Sequence, residues 1–486
     1  MSRKRKSLFK TLTAIACIAG LSCGICAMPI GAESAFNYNV LSDASGASYV
    51  EITGCSNALV NAEVPAEIDG IAVKSIGDRA FSWCEKLKKV VIPDGVTFIG
   101  ESAFESCTAL EAVTIPEGVT QFGNYAFYDC TSLTDINIPK SLTSIGNYAF
   151  ENCVKLTGAE LPAGVSELGH GVFNSCISLE AINVADGNAV YRSEGGMLLS
   201  KDSTVLIAYP AGAKSESLEI PEGVSEIGFG AFLNCDNLKS ISIGGNVRTI
   251  GASAFSQCDG LVSIDIPSGV EVIGEGAFSK CGSLESFIIR NPQCNIYDAK
   301  STVSNSYSVE GGYSYNGDIF SYEGSLAESY CTFYGKSFIP IKTIATENPD
   351  ITIESLGELY STNDKIHFGK RLSVLKNGAE AEYTASQVSA DIVGMQDVNI
   401  LVNGEKAASV QAELRYRGDV NGDNKITALD ASVIFSAYKS YYRGDSYGLD
   451  PKSKYFADCD ENGKISALDA SYAFSVYKEN YRKGDK

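Results

Sequence analysis

From about residue 76 to 289 the chain repeats itself every 23 residues. One copy runs Ile99-Gly100-x-x-Ala103-Phe104-x-x-Cys107-x-x-Leu110-x-x-Val113-x-Ile115-Pro116-x-Gly118-Val119. Cysteines mark the step: Cys84, Cys107, Cys130, Cys153 and Cys176, and again Cys235, Cys258 and Cys281. A unit this short cannot bury its apolar face alone, so each copy must stack on its neighbours and the array must be a solenoid. Leu110, Val113 and Ile115 are expected to point inward from one strand. Pro116 ends that strand because it has no N–H to continue the ladder. Gly100 and Gly118 are expected to allow turns, and Ala103-Phe104 to start a short helical return whose Phe fills the core.

The Leu-x-x-Ile-x-Ile pattern at this period resembles the BspA-like class of leucine-rich repeats, which implies a β-rich solenoid that binds varied ligands. The cysteine column admits two readings. Coils stacked at about the 4.8 Å strand spacing bring equivalent thiols within disulfide range. A ladder of equivalents has no unique pairing, however, and a free Cys is a small buried residue in its own right. Residues 184–217 break the period and read as a β insertion within one longer repeat. Residues 36–75 would cap the first coil, and residues 291–338 the last. The outward positions of the strands are Val91, Thr114, Asn137, Glu160, Asn183, Ser242, Asp265 and Ile288. None is aromatic, and sugar platforms and protein hot spots want aromatic rings or Arg. A structural role is expected for Trp83, beside the cysteines, and a half-buried cap for Tyr307, Tyr313, Tyr315, Tyr322, Tyr330 and Tyr334.

The last 70 residues hold two twelve-residue loops, Asp419–Asp430 and Asp458–Asp469. Oxygen donors recur at loop positions 1, 3, 5, 7, 9 and 12. These are Asp419, Asn421, Asp423, the Lys425 carbonyl, Thr427 and Asp430, then Asp458, Asp460, Asn462, the Lys464 carbonyl, Ser466 and Asp469. Such spacing wraps oxygens around one hard cation per loop, so two Ca²⁺ ions are expected. Asn424 and Gly463 at position 6 are expected to make the sharp turn. The loops depart from an EF-hand: position 12 is Asp, and no helix-length segment leads into either loop. Each runs into one helix, from Ala428 and from Ala467. Ala-Leu-Asp-Ala-Ser recurs at 428–432 and 467–471, and Phe-Ser-x-Tyr-Lys at 435–439 and 474–478.

This duplication resembles the dockerin module, a plug for cohesin modules of a cellulosomal scaffoldin. The resemblance implies cohesin-binding positions at Ala428, Leu429, Phe435 and Ser436, and at Ala467, Leu468, Phe474 and Ser475. Some dockerins carry hydroxyl residues where Ala-Leu stands here, which implies a more apolar contact. Leu429 shares a helical face with Val433 and Ala437, so a core role is the alternative for it. Residues 343–416 carry short alternating stretches with turn signals at Asn377-Gly378 and Asn403-Gly404. They resemble bacterial Ig-like spacers.

The expected organisation is therefore multidomain: a signal peptide at 1–32, with a basic start and a 16-residue apolar run too short to span a bilayer comfortably; a capped solenoid at 33–342; a small β-sandwich-like spacer at 343–416; and an α-helical, Ca²⁺-binding dockerin with two EF-hand-like loop–helix motifs at 417–486. Without the first 32 residues, 34 basic residues face 59 acidic ones, a balance of −25. That argues against nucleic acid and anionic membranes. Two histidines, His170 and His367, leave little scope for His-based catalysis. The expected function is a secreted, non-enzymatic cellulosome component without a membrane span. It would reach a cell surface only through a scaffoldin and present the solenoid to an unknown protein or glycan. The alternative makes the solenoid a carbohydrate-binding or substrate-targeting module.

Overall fold

A computed structural model describes residues 35–346, 348–362, 368, 371–376, 379–387, 393–423, 425–442, 449, 451–459 and 464–483. Residues 1–32, Asn377-Gly378, Asn424, Asp460, Asn462 and Gly463, for which expectations were stated above, lie outside that set. The chain divides into two compact units, 1–338 and 339–486.

The first unit is the solenoid. Most coils contribute two short parallel strands rather than one. Phe98–Ile99 pairs with Gln121–Phe122, and Ala112–Thr114 pairs with Lys89–Val91. The longest stack of coils begins on the antiparallel hairpin Phe36–Ser42/Ser48–Cys55, whose second strand pairs in parallel with Ile71–Ile76. Strands Tyr191–Glu194, Met197–Ser200 and Val205–Ala208 are antiparallel, and Val205-Leu206 then pairs in parallel with Glu226-Ile227. At the far end stands helix α1, Leu326–Tyr334, capped by Ser325 and ended by left-handed Gly335.

Leu110, Val113 and Ile115 are buried. The Phe of each copy forms the central rib: Phe81, Phe104, Phe127, Phe150 and Phe173 stack nearly parallel, at centroid separations of 4.9, 5.2, 5.3 and 5.7 Å. A second rib runs Tyr209, Phe232, Phe255 and Phe278. The thiols beside the ribs are free and donate across coils. Cys107 donates to the Phe81 carbonyl at 3.0 Å, and Cys130, Cys153, Cys176, Cys258 and Cys281 repeat the bond at 3.0–3.2 Å.

Two expectations give way here. The return is not helical. Alternate N–H groups reach the next coil instead of residue i−4: Arg79 to Glu101, Phe81 to Ala103 and Trp83 to Glu105, all at 2.7–2.8 Å, while Ala80, Ser82 and Cys84 between them bond back three residues. That pattern requires alternating handedness, so Arg79 and Trp83, Ser102 and Ser106, and Tyr125 and Asp129 take φ between +54° and +61°. A left-handed non-glycine costs about 1–2 kcal/mol, and the intercoil bond holds it there. The glycine of Ile-Gly serves close approach rather than a turn. A Cβ on Gly100 would sit 2.6 Å from the Asp78 nitrogen, and one on Gly123 2.5 Å from that of Glu101.

Burial in this return pushes the Glu151 carboxyl up from its ordinary 4.5 to about 7. The folded state thus binds an extra proton between those values, so stability falls as pH rises through them. The denaturation midpoint of the solenoid should be lower at pH 8 than at pH 5. Glu151→Gln should flatten that dependence, and an unchanged slope would refute the assignment.

In the second unit, strands Ile351–Leu356, Leu372–Lys376 and Ala379–Glu380 form one antiparallel run. Tyr360–Thr362, Glu405–Arg415, Gly394–Val402 and Tyr383–Gln387 form a second sheet. One core joins them, including Ile353, Phe368, Val374, Val398, Ile400 and Leu414. Asn403-Gly404 turns with both φ positive, at 52° and 82°, the signature of a tight I′ hairpin. Helices α2 (Ala428–Tyr442), α3 (Pro451–Ala457) and α4 (Ala467–Lys483) complete the unit. The short α3 was not expected. It leads into the second loop, begins at Pro451 where a missing N–H is harmless, and buries Phe456 and Ala457 fully.

Candidate functional site

The two loop–helix motifs fold alike. Thr427 caps α2 by accepting from the Leu429 nitrogen at 3.2 Å, while Asp430 accepts from the Thr427 nitrogen at 2.9 Å. Ser466 and Asp469 do the same for α4, at 3.1 and 2.7 Å. Each is a capping box with Asp at its third helical position. The position-12 carboxylate also reaches back to the loop's start. Asp430 accepts from Val420 and Asn421 nitrogens at 3.1 and 3.3 Å, and Asp469 from the Cys459 nitrogen at 2.7 Å. One side chain thereby closes the loop and starts the helix.

Asp419 and Asp430 are fully buried, and Asp469 nearly so. Among the described residues the loop acids do not converge as a metal cluster; no group of three His, Cys, Asp or Glu side chains stands ready to hold an ion. They turn onto their own backbone: Asp419 accepts from the Gly422 nitrogen at 2.8 Å, Asn421 from Asp423 at 2.9 Å, and Asp423 from Lys425 at 2.9 Å. The donor set nevertheless suits a hard cation. Every donor is oxygen, and the Asp430 bonds all come from neutral groups. A buried carboxylate without a countercharge is costly, and a divalent ion supplies one. In the second loop Asp458, Lys464, Ser466 and Asp469 are described, and Asp460 and Asn462 are not.

Sequence reasoning missed two residues against the first loop. The left-handed turn described there is at position 4, Gly422, with φ +73°. A Cβ on it would come within 2.7 Å of the Arg415 guanidinium. Arg415 lies over the Phe456 ring at 4.9 Å and pairs with Glu413 at 2.8 Å, so it links the last strand, α3 and the loop. A cation immediately before an acidic loop was the available signal.

The core between α2 and α4 is mostly small residues, Ala431, Ala437, Ala470 and Ala473, around Ile434. Leu429 is outside it, 61% exposed, and its equivalent Leu468 is 72% exposed. The core alternative for Leu429 is therefore overturned: the buried stripe runs through positions 431, 434 and 437, and Leu429 falls off it. Phe435 and Phe474 are 42% and 43% exposed. Lys439 lies over Phe435 at 4.7 Å and Lys478 over Phe474 at 4.5 Å, and each Phe tilts by 35° against Tyr438 or Tyr477. Ala428, Ser436, Ala467 and Ser475 are exposed as well. The same apolar patch thus stands twice on one helical domain.

On the solenoid, Val91, Thr114, Asn137, Glu160, Asn183 and Ser242 are exposed along the strands. Asp265 also faces outward, held in a bidentate pair by Arg290 at 2.7–3.0 Å. One outward expectation fails: Ile288 is buried where strand Asp318–Ser321 extends the sheet. Trp83, expected to be structural, is 60% exposed. Its left-handed backbone turns the ring out of the coil. The cap tyrosines divide: Tyr315 and Tyr330 are buried, while Tyr307 is exposed, tilted against Tyr313 and covered by Lys280 at 5.3 Å.

Comparison with known proteins agrees with this division. The model of the BspA type leucine rich repeat region matches residues 74–193 and 209–308 in six copies, and that of the dockerin type I domain matches 417–472. Among solved structures, a leucine-rich repeat protein from Eubacterium ventriosum is similar at 26% identity, over 54% of this chain and 70% of its own, with a TM-score of 0.44. A leucine rich cell surface protein from Faecalibacterium prausnitzii is similar at 24% identity, over 65% and 95%, with a TM-score of 0.40. The leucine rich repeat protein of T. pallidum is similar at 26%, over 48% and 90%, with a TM-score of 0.33. No curated protein matches. Leucine-rich repeats and dockerins are both interaction modules rather than catalytic ones, and type I dockerins bind calcium. No described helix is long and apolar enough to cross a membrane. The chain carries a BspA-type leucine-rich repeat region followed by a C-terminal type I dockerin domain.

Proposed function

We propose that this protein is a secreted, non-enzymatic cellulosome component. Its dockerin binds a cohesin module of a scaffoldin, and its solenoid presents a binding surface to a protein or surface ligand. The observation that carries the docking half is the duplicated exposed patch, Leu429 with Phe435 and Leu468 with Phe474. Solvent-facing Phe rings with exposed Leu on the same helices are apolar surface a partner would bury. Asp419, Asn421, Asp423, Thr427 and Asp430, with the Lys425 carbonyl, would hold one Ca²⁺. Asp458, Asp460, Asn462, Ser466 and Asp469, with the Lys464 carbonyl, would hold a second. The ion supplies only charge and loop closure. The chain's own capping boxes orient the helices that carry the patches, and attachment to a cell surface would be through the scaffoldin.

Two equivalent patches permit cohesin to sit in either of two orientations. Leu429→Asp should then lower the association constant of a recognised cohesin by only about twofold, the statistical loss of one mode, as should Leu468→Asp. The double variant should abolish binding in titration calorimetry. Loss of binding from Leu429→Asp alone would refute the dual mode. Retained binding in the double variant would refute the surface.

A second reading makes the solenoid a carbohydrate-binding or substrate-targeting module. The exposed rings of Trp83 and Tyr307 favour it, since sugars stack on such rings. Plant-polysaccharide retention by the full chain, lost in Trp83→Ala or Tyr307→Ala, would support it. Retention unchanged in both would remove its basis.

A further inference from the structure

The cysteine column is irregular at its N-terminal end. Its interior thiols donate to a carbonyl 26 residues back, in the preceding coil. Cys84 is the first of the column, and before it stands the terminal hairpin rather than a regular coil. Its Sγ lies 3.0 Å from Sγ of Cys55, with Asn57 Oδ1 next at 3.6 Å. Cys55 is the last residue of strand Ser48–Cys55 and is half-buried, while Cys84 is buried. The contact therefore has a reachable sulfur on one side and a sheltered one on the other.

We propose that Cys55 and Cys84 form a disulfide that clamps the N-terminal hairpin onto the first coil, made by exchange with a small-molecule disulfide. Cys55, as thiolate, attacks one sulfur of that oxidant. One S–S bond breaks, one forms, and a thiolate leaves. Cys84 then attacks the Cys55 sulfur of the mixed disulfide, and the second thiolate leaves. The two protein thiols lose two electrons and two protons, and the oxidant gains both as two thiols. Access sets this order, because Cys55 is half-buried and Cys84 is buried.

The ambiguity that argues against pairing inside the column does not apply here. An interior thiol has equivalent neighbours above and below and a carbonyl to satisfy it, whereas Cys84 has a distinct partner from outside the repeat. The position also suits a clamp. A terminal coil has a neighbour on one side only, so it opens first. The crosslink would close a loop with a sequence separation of 29 residues across that end.

The test uses the purified full chain, equilibrated with excess oxidised glutathione, quenched in acid, denatured, alkylated and digested with trypsin. Cleavage at Lys74 and Arg79 separates the two cysteines. The expected product is a Cys55 peptide crosslinked to a Cys84 peptide, with Cys107, Cys130 and Cys153 alkylated. The oxidised chain should lose its 36–55 hairpin to thermolysin about tenfold more slowly than Cys55→Ser treated alike. Full alkylation of Cys55 and Cys84 after oxidation overturns the proposal, as does Cys84 crosslinked to Cys107. Because the crosslink is read in the unsubstituted chain, the result does not depend on how any variant folds.

Discussion

Chelating calcium should strip hydrogen-exchange protection from α2 and α4 while the sheets of residues 351–414 keep theirs. The core between these helices is mostly alanine, so burial contributes little there. Against it stand Asp419, Asp430 and Asp469, all out of water. With the ion present at a hundredfold excess over its dissociation constant, each occupied loop adds about 2.7 kcal/mol. Without it, the buried carboxylates lack a countercharge and the loops open. Asp430→Ala should mimic part of the effect in one loop, because it also removes a capping box worth about 1 kcal/mol. Protection of α2 and α4 that ignores chelator would sink the ligand assignment. It would leave the duplicated patch standing, since that patch rests on exposure alone.

Phe127→Ala should cost about 3–5 kcal/mol, the largest loss expected from a single solenoid substitution. The ring is fully buried between Phe104 and Phe150, at 5.2 and 5.3 Å, and also meets the edge of Phe122 at 5.5 Å. Coils above and below cannot close the gap, because intercoil backbone bonds such as Phe104 to Ala126 fix their spacing. In a one-dimensional array the damage falls on one interface on each side, so denaturation should broaden as the coils on either side uncouple. A loss under about 1 kcal/mol in urea would mean that the rib does not carry the coils' cohesion.

Much of the fold was legible because the relevant signals are local and repeated. The 23-residue step named the solenoid, and Leu110, Val113 and Ile115 named its interior. Ala-Leu-Asp-Ala-Ser, written twice, marked both helix starts, and a capping box needs only residues three apart. The patch positions came from the dockerin resemblance, and the structure adds that they are exposed.

What was not legible depends on neighbours far along the chain. The return reads as helical from Ala103-Phe104, yet alternate N–H groups bond to the next coil, a choice made only once coils stack. Leu429 and Val433 look alike to a helical wheel. Packing of α2 against α4 chose the stripe at 431, 434 and 437, and left Leu429 in solvent. Arg415 against Gly422, and Cys55 against Cys84, bring together residues from different motifs. Periodicity, being a property of the chain alone, settled the solenoid. Which faces close, and which thiol finds a partner, was decided by close packing, because a contact between distant residues exists only after the coils and helices have taken their places.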